Sequence, residues 1–121
     1  MDFSFPKEYQ LFRRMARDFC QNEIKPRAKA IDRDHTVPFD IVKKAAKLGL
    51  LGVPFPQKYG GMGGGETGYC ILAEELGRVC SSTATVIGAH IGIAAMAIHL
   101  DGTEEQKKKY LVPLAQGTAI G

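Results

Sequence analysis

SSTATVIGAHIGIAAMAIHL, residues 81–100, decides how the rest of the chain reads. It carries no charged residue. Its apolar positions are not confined to one stripe, which is the pattern of a helix enclosed by its neighbours. Its side chains are also small: Gly88, Ala89, Gly92, Ala94, Ala95 and Ala97 leave a thin helix, so a neighbouring backbone or an apolar ligand tail must fill the space. Three roles fit: the central helix of a bundle, a membrane span, or a helix lining an apolar pocket. A run of about 18 apolar residues with glycines at 88 and 92 would just span a bilayer. His90 and His99 inside the run, with no aromatic belt around it, argue against a transmembrane segment.

The flanking segments supply the bundle. Residues 6–33 read as a long helix, with Tyr9, Phe12, Met15, Ala16, Phe19, Cys20 and Ile24 at three-four spacing. Arg13, Arg14, Arg17 and Asp18 fall on the other face, which reads as solvated surface. Pro26 should kink or split this helix near residues 23–25. A second helix spans 39–48, and Gly49 is placed as its C′ residue. Residues 50–55 are apolar but too short and Pro-rich for a regular strand. In QKYGGMGGGETG, residues 57–68, five glycines lie between Tyr59 and Glu66. Such a loop can cradle phosphate. This one lacks the Lys-Ser/Thr of a P-loop and the acidic residue of a dinucleotide fingerprint, so a flexible surface turn is expected. Residues 66–79 form a third helix, and Ser81 or Ser82 can cap the central one. Thr103 opens a last helix with T-x-x-Q, a capping-box pattern, and Pro113 should weaken its end. No strand pattern or repeat is present. The fold expected is all-α, a bundle of five or six helices around a buried apolar helix.

At 121 residues the chain is one domain, with an ordinary globular composition. Residues 1–60 hold 12 Lys or Arg against 7 Asp or Glu, and residues 61–121 hold 4 against 6. A net charge of +3 can help attract an anionic ligand. With no aromatic platform it does not point to nucleic acid. Cys20, Cys70 and Cys80 are odd in number and form no C-x-x-C, which fits a reducing compartment. Cys70 and Cys80 read as small core residues. No secretory signal is apparent, and a cytoplasmic protein is the default expectation.

Local chemistry is missing. His35, His90 and His99 have no partners at metal-ligand spacing. His90 and His99 lie on opposite sides of a straight helix, and each reads as a satisfied core or interface histidine. Glu74 and Glu75 are adjacent and do not form a catalytic pair. No nucleophile, acid or metal centre is proposed by any local set.

The order of segments says more. KEYQLFRRMARDFC at 7–20 and IKPRAKAIDRDHTVP at 24–38 resemble the opening helices of acyl-CoA dehydrogenases. LGLLGVPFPQKYGGMGG at 48–64 resembles that family's Tyr-Gly-Gly loop, and ILAEELGRVCSSTA at 71–84 its third helix. DGTEEQKKKYLVPLAQGTAIG at 101–121 is similar to its run into a β domain. The resemblance covers the whole chain. It implies the N-terminal helical domain of a three-part FAD-dependent flavoprotein, an oxidoreductase of fatty acid metabolism. In that family a C-terminal carboxylate takes the α-proton of an acyl thioester and the β-hydrogen passes as hydride to the flavin.

By the same resemblance, the middle β and C-terminal helical domains, the flavin segment and the catalytic base lie outside these residues. The chain is then expected to be inactive alone. No catalytic, cofactor-binding or metal residue is assigned within it. The implied partners are acyl-CoA, an electron-transfer acceptor and further copies of the protein. The helix at 81–100 would line the acyl pocket through Thr85, Val86, Gly88, Ala89, Gly92 and Ile93. Ala84 stands where family members that take dicarboxylic substrates place an arginine, which argues against a charged acyl terminus. Gly88 and Ala89 suggest a medium, long or branched chain. A stand-alone helical protein-interaction module and an acyl-CoA oxidase-like flavoenzyme remain open as alternatives.

Overall fold

The computed structural model describes residues 1–121 as helices and turns without a strand. Helix α1 (Lys7–Phe19) passes through a π turn (Cys20–Ile24) and a 3-10 turn (Lys25–Arg27) into α2 (Ala28–Asp34). Then follow α3 (Phe39–Lys47), α4 (Gly65–Gly77) and the long α5 (Ser81–Asp101), which contains a π segment at His90–Ala95. The last helix, α6, covers residues 104–116 and has its own π segment at Lys107–Leu111.

Both prolines inside helices sit two residues beyond a π segment: Pro26 after Cys20–Ile24, and Pro113 after Lys107–Leu111. A proline removes one i→i−4 hydrogen bond and crowds the preceding turn. Local widening absorbs the mismatch, so α6 continues past Pro113 to Gln116 instead of weakening there.

The core runs through Ile24, Ile41, Leu72, Ile87, Ile91 and Leu111, all at or near zero exposure. Each such side chain contributes ~1.5–3 kcal/mol of burial free energy. The irregular segment 50–55 is buried throughout and forms the floor of the bundle. The glycine-rich loop is pinned to it rather than loose. Met62 N–H donates to Gly52 O at 2.9 Å, Gly63 N–H to Phe55 O at 2.8 Å, and Gly64 N–H to Val53 O at 2.8 Å. Gly61 is required by close approach, since a Cβ there would stand 2.1 Å from Phe55 O. The expected flexible turn is therefore an ordered one, and these three amides are already engaged by backbone carbonyls.

The arginine face of α1 is exposed at Arg14, Arg17 and Asp18 as read, but two of its arginines also pair across to α4. Arg17 donates through Nε and Nη2 to the two oxygens of Glu75, each at 3.0 Å, and Arg13 reaches Glu74 at 2.8 Å. Glu75 is 2% exposed, so this pairing clamps α1 to α4 from within. Arg17 holds the Glu75 carboxyl below its ordinary range, against the opposing effect of burial.

Cys80 is buried in the core as read, but Cys70 is not, and the cap of α5 differs from the one expected. Cys70 is exposed, because it lies on the outer face of α4. Cys80, not a serine, caps α5: its Sγ accepts from Thr83 N–H at 3.5 Å. Cys20 is buried as expected, and burial pushes its thiol up to about 12. At Gly49, φ of 77° closes α3 in the left-handed conformation that only glycine adopts without strain.

Helix α5 buries one face only. Thr83, Ile87, His90, Ile91 and Ala95 turn inward, and most of the other residues are partly or fully exposed. By length and composition this helix could cross a membrane. Its inward face nevertheless belongs to the same continuous core as α1, α3 and α6.

Candidate site on the outer face of α5

Thr85, Ala89, Gly92 and Ile93 recur at three-four spacing on α5, and the structure places them together on its outward side. Ile93 is 74% exposed, a large apolar side chain with nothing over it in this chain. Thr85 is exposed, but its hydroxyl donates to Ser81 O at 2.9 Å. Its donor is thus spent on its own helix, and the face presents little polar demand. Val86 is not brought in with the others. It sits at the far rim, in a shallow cleft with Ile31, His35 and Pro38.

Gly88 and Gly92 lie on the α4 side of this face, under Tyr69. The Tyr69 hydroxyl donates to Gly88 O at 3.1 Å. A Cβ on Gly92 would come within 2.7 Å of the Tyr69 hydroxyl oxygen. Part of the space left by the two glycines is therefore filled by a phenol from α4. Periodicity does not show this contact, because Tyr69 reads simply as one apolar residue of α4.

The π segment His90–Ala95 coincides with this site. Such segments add a residue to a helical turn and occur often at functional positions. Its first residue, His90, is 1% exposed and belongs to the inward side. Its Nε2 lies 2.9 Å from Leu114 O, and Gly121 N–H donates to its Nδ1 at 3.2 Å. A carbonyl on Nε2 and an amide on Nδ1 require the neutral Nε2–H tautomer. Burial pushes the pKa of His90 down, opposed by the Leu114 contact. His90 thus ties α5 to the end of α6 and to the segment leaving it. His99 is different: it packs edge-on against Phe55 and Tyr59, and its buried Nδ1 has no hydrogen-bond partner. The reading of both histidines as satisfied holds only for His90.

No three His, Cys, Asp or Glu side chains converge as a metal-ligand group. No nucleophile–base pair faces the α5 surface. The arrangement can do one thing chemically: offer an apolar face, walled by an aromatic ring on one side, to an apolar group.

Comparison with known proteins agrees with the architecture. The family model described as "Acyl-CoA dehydrogenase, N-terminal domain" matches residues 6–118. The chain is similar to the short-chain specific acyl-CoA dehydrogenase of Clostridium acetobutylicum, with 47% identity over all 121 residues, which make up 32% of that protein. It superimposes on butyryl-CoA dehydrogenase from Megasphaera elsdenii with a TM-score of 0.92 and 34% identity, covering 100% of this chain and 32% of that one. An acyl-CoA dehydrogenase from Bacillus anthracis, complexed with FAD, superimposes with a TM-score of 0.86 and 36% identity, covering 98% and 20%. The chain thus spans a third or less of the length of these relatives. A match over nearly every residue, on an all-helical architecture with the same order of segments, makes this chain a member of the acyl-CoA dehydrogenase N-terminal domain family.

Proposed function

We propose that this chain is the pocket-lining domain of an FAD-dependent acyl-CoA dehydrogenase that takes short acyl thioesters. The carrying observation is the outward face of α5: Thr85, Ala89 and Ile93 form a largely apolar surface with no cover of its own in this chain, bordered by Gly92 under Tyr69. An acyl chain laid there gains ~0.8 kcal/mol per buried CH₂. The similarity to a short-chain specific enzyme and to a butyryl-CoA dehydrogenase supports the short substrate.

This chain's own residues bind and orient the acyl group and exclude water from it. Three amides of the glycine-rich loop are engaged with Gly52, Phe55 and Val53, so this loop does not offer them to a pyrophosphate. We therefore assign FAD, the base that removes the α-proton, the contact with an electron-transfer acceptor and self-association to the remaining two-thirds of the protein. Residues 117–121 would lead from α6 into that part. A cytoplasmic setting is part of the same reading.

The test is anaerobic titration of the full-length flavoprotein with butyryl-CoA. Bleaching of the oxidised flavin absorbance is the expected result. A flavin unchanged by butyryl-, hexanoyl- and octanoyl-CoA would overturn the proposal.

A further inference from the structure

We propose that Tyr69 is a specificity-determining residue, the side chain that limits how long an acyl group α5 can hold. This rests on the acyl-pocket reading above and goes beyond it, since Tyr69 lies on α4 and outside the lining helix. Glycines at 88 and 92 make α5 thin at the site, and taken alone they would leave a deep groove. The structure fills that groove from the side. The hydroxyl end of Tyr69 lies against both glycines, hydrogen-bonded to Gly88 O at 3.1 Å, with the adjoining ring edge beside Gly92. The fit against Gly92 is tight: a single added methyl group would stand 2.7 Å from the hydroxyl oxygen and 3.5 Å from Cζ.

Three consequences follow from that contact. The hydroxyl proton is spent on a main-chain carbonyl, so what Tyr69 offers to a ligand is the apolar flank of its ring. The hydrogen bond fixes the ring against the glycines, so the volume it takes is not freed by rotation. The residues left open, Thr85, Ala89 and Ile93, run alongside the glycines, with Tyr69 flanking them on the α4 side. An acyl group lying along them meets the ring on that side instead of extending over Gly88 and Gly92. Small residues on the lining helix and a preference for short chains are then compatible, because the bulk comes from a neighbouring helix.

The experiment compares kcat/KM for octanoyl-CoA and butyryl-CoA in the full-length enzyme, using an artificial electron acceptor. Tyr69→Ala should raise the octanoyl-to-butyryl ratio ~10-fold or more, the scale on which fit in an apolar pocket discriminates substrates. Tyr69→Phe keeps the ring and should move the ratio less than about threefold. Adding Gly92→Leu to Tyr69→Ala refills the space and should return the ratio toward that of the unmodified enzyme. The ratio is internal to each preparation, so partial misfolding of a variant cancels, and Tyr69→Leu provides a gentler truncation. A Tyr69→Ala ratio within about threefold of the unmodified enzyme would overturn the inference, since a purely structural role lowers both rates together. So would a Tyr69→Phe shift as large as that of Tyr69→Ala. If the unmodified enzyme oxidises no acyl-CoA, the acyl-pocket reading itself falls. If it oxidises butyryl-CoA and the ratio does not move, only the role of Tyr69 falls.

Discussion

Separating α1 from α4 electrostatically should destabilise the domain asymmetrically. Glu75 is 2% exposed and accepts two 3.0 Å hydrogen bonds from Arg17, whose side chain is 46% exposed. Arg17→Ala strands a buried carboxylate whose nearest remaining cation is Arg13 Nη1 at 3.8 Å. Removing one partner of a fully buried pair costs ~3–5 kcal/mol; the half-exposed Arg17 and the nearby Arg13 put this case at no more than ~3 kcal/mol. Glu75→Gln leaves Arg17, which can turn to water, so the loss is that of charged hydrogen bonds, ~1.5–2 kcal/mol. The double variant should cost less than the sum by at least ~1 kcal/mol. Thermal or urea unfolding followed by circular dichroism measures all four proteins. At about 4 °C per kcal/mol for a domain of this size, Arg17→Ala should lower Tm by up to about 12 °C. The pairing also has a pH signature. Because Arg17 holds the Glu75 carboxyl below its ordinary value of 4.5, the stabilisation is full above about pH 4.5 and disappears as pH falls further. Additive single and double losses, or a Glu75→Gln cost exceeding that of Arg17→Ala, would refute the reasoning.

His90 predicts a second pH dependence. Burial lowers its pKa, so the unfolded chain takes up the proton first as pH falls below about 6.5. Stability should be level above that pH and decline below it, by up to ~1.4 kcal/mol per pH unit, and His90→Gln should remove that slope. At Gly117, φ is 73° and an added Cβ would stand 2.3 Å from Ala46 Cβ. Gly117→Ala should therefore cost at least ~2 kcal/mol in urea unfolding, combining backbone strain with overpacking of α6 against α3.

Much of the fold is legible because local physics fixes it. Thr103 and Gln106 read as a capping box, and both reciprocal hydrogen bonds are present, at 2.9 and 3.2 Å. Gly49 closes α3 as its pattern suggests. What is not legible comes from contacts between distant segments. Nothing near Arg17 in sequence announces Glu75, 58 residues away, so the arginine face reads as surface. The glycine-rich loop reads as loose because its hydrogen-bond partners lie in the irregular segment 50–55. The uniform apolarity of residues 81–100 suggests burial on all sides, while this chain covers one face only. The candidate site divides in the same way. The small residues of α5 mark where it lies, but its depth depends on Tyr69, which joins α5 only through tertiary packing.

The central claim is that the outward face of α5 touches the acyl group. Photolabelling of the full-length enzyme with a short acyl-CoA carrying a diazirine at its acyl terminus, followed by peptide mapping, tests it directly. Label on Thr85, Ala89, Gly92, Ile93 or Tyr69, suppressed by excess butyryl-CoA, is the predicted result. Competable labelling confined to residues outside α4 and α5 would contradict the account.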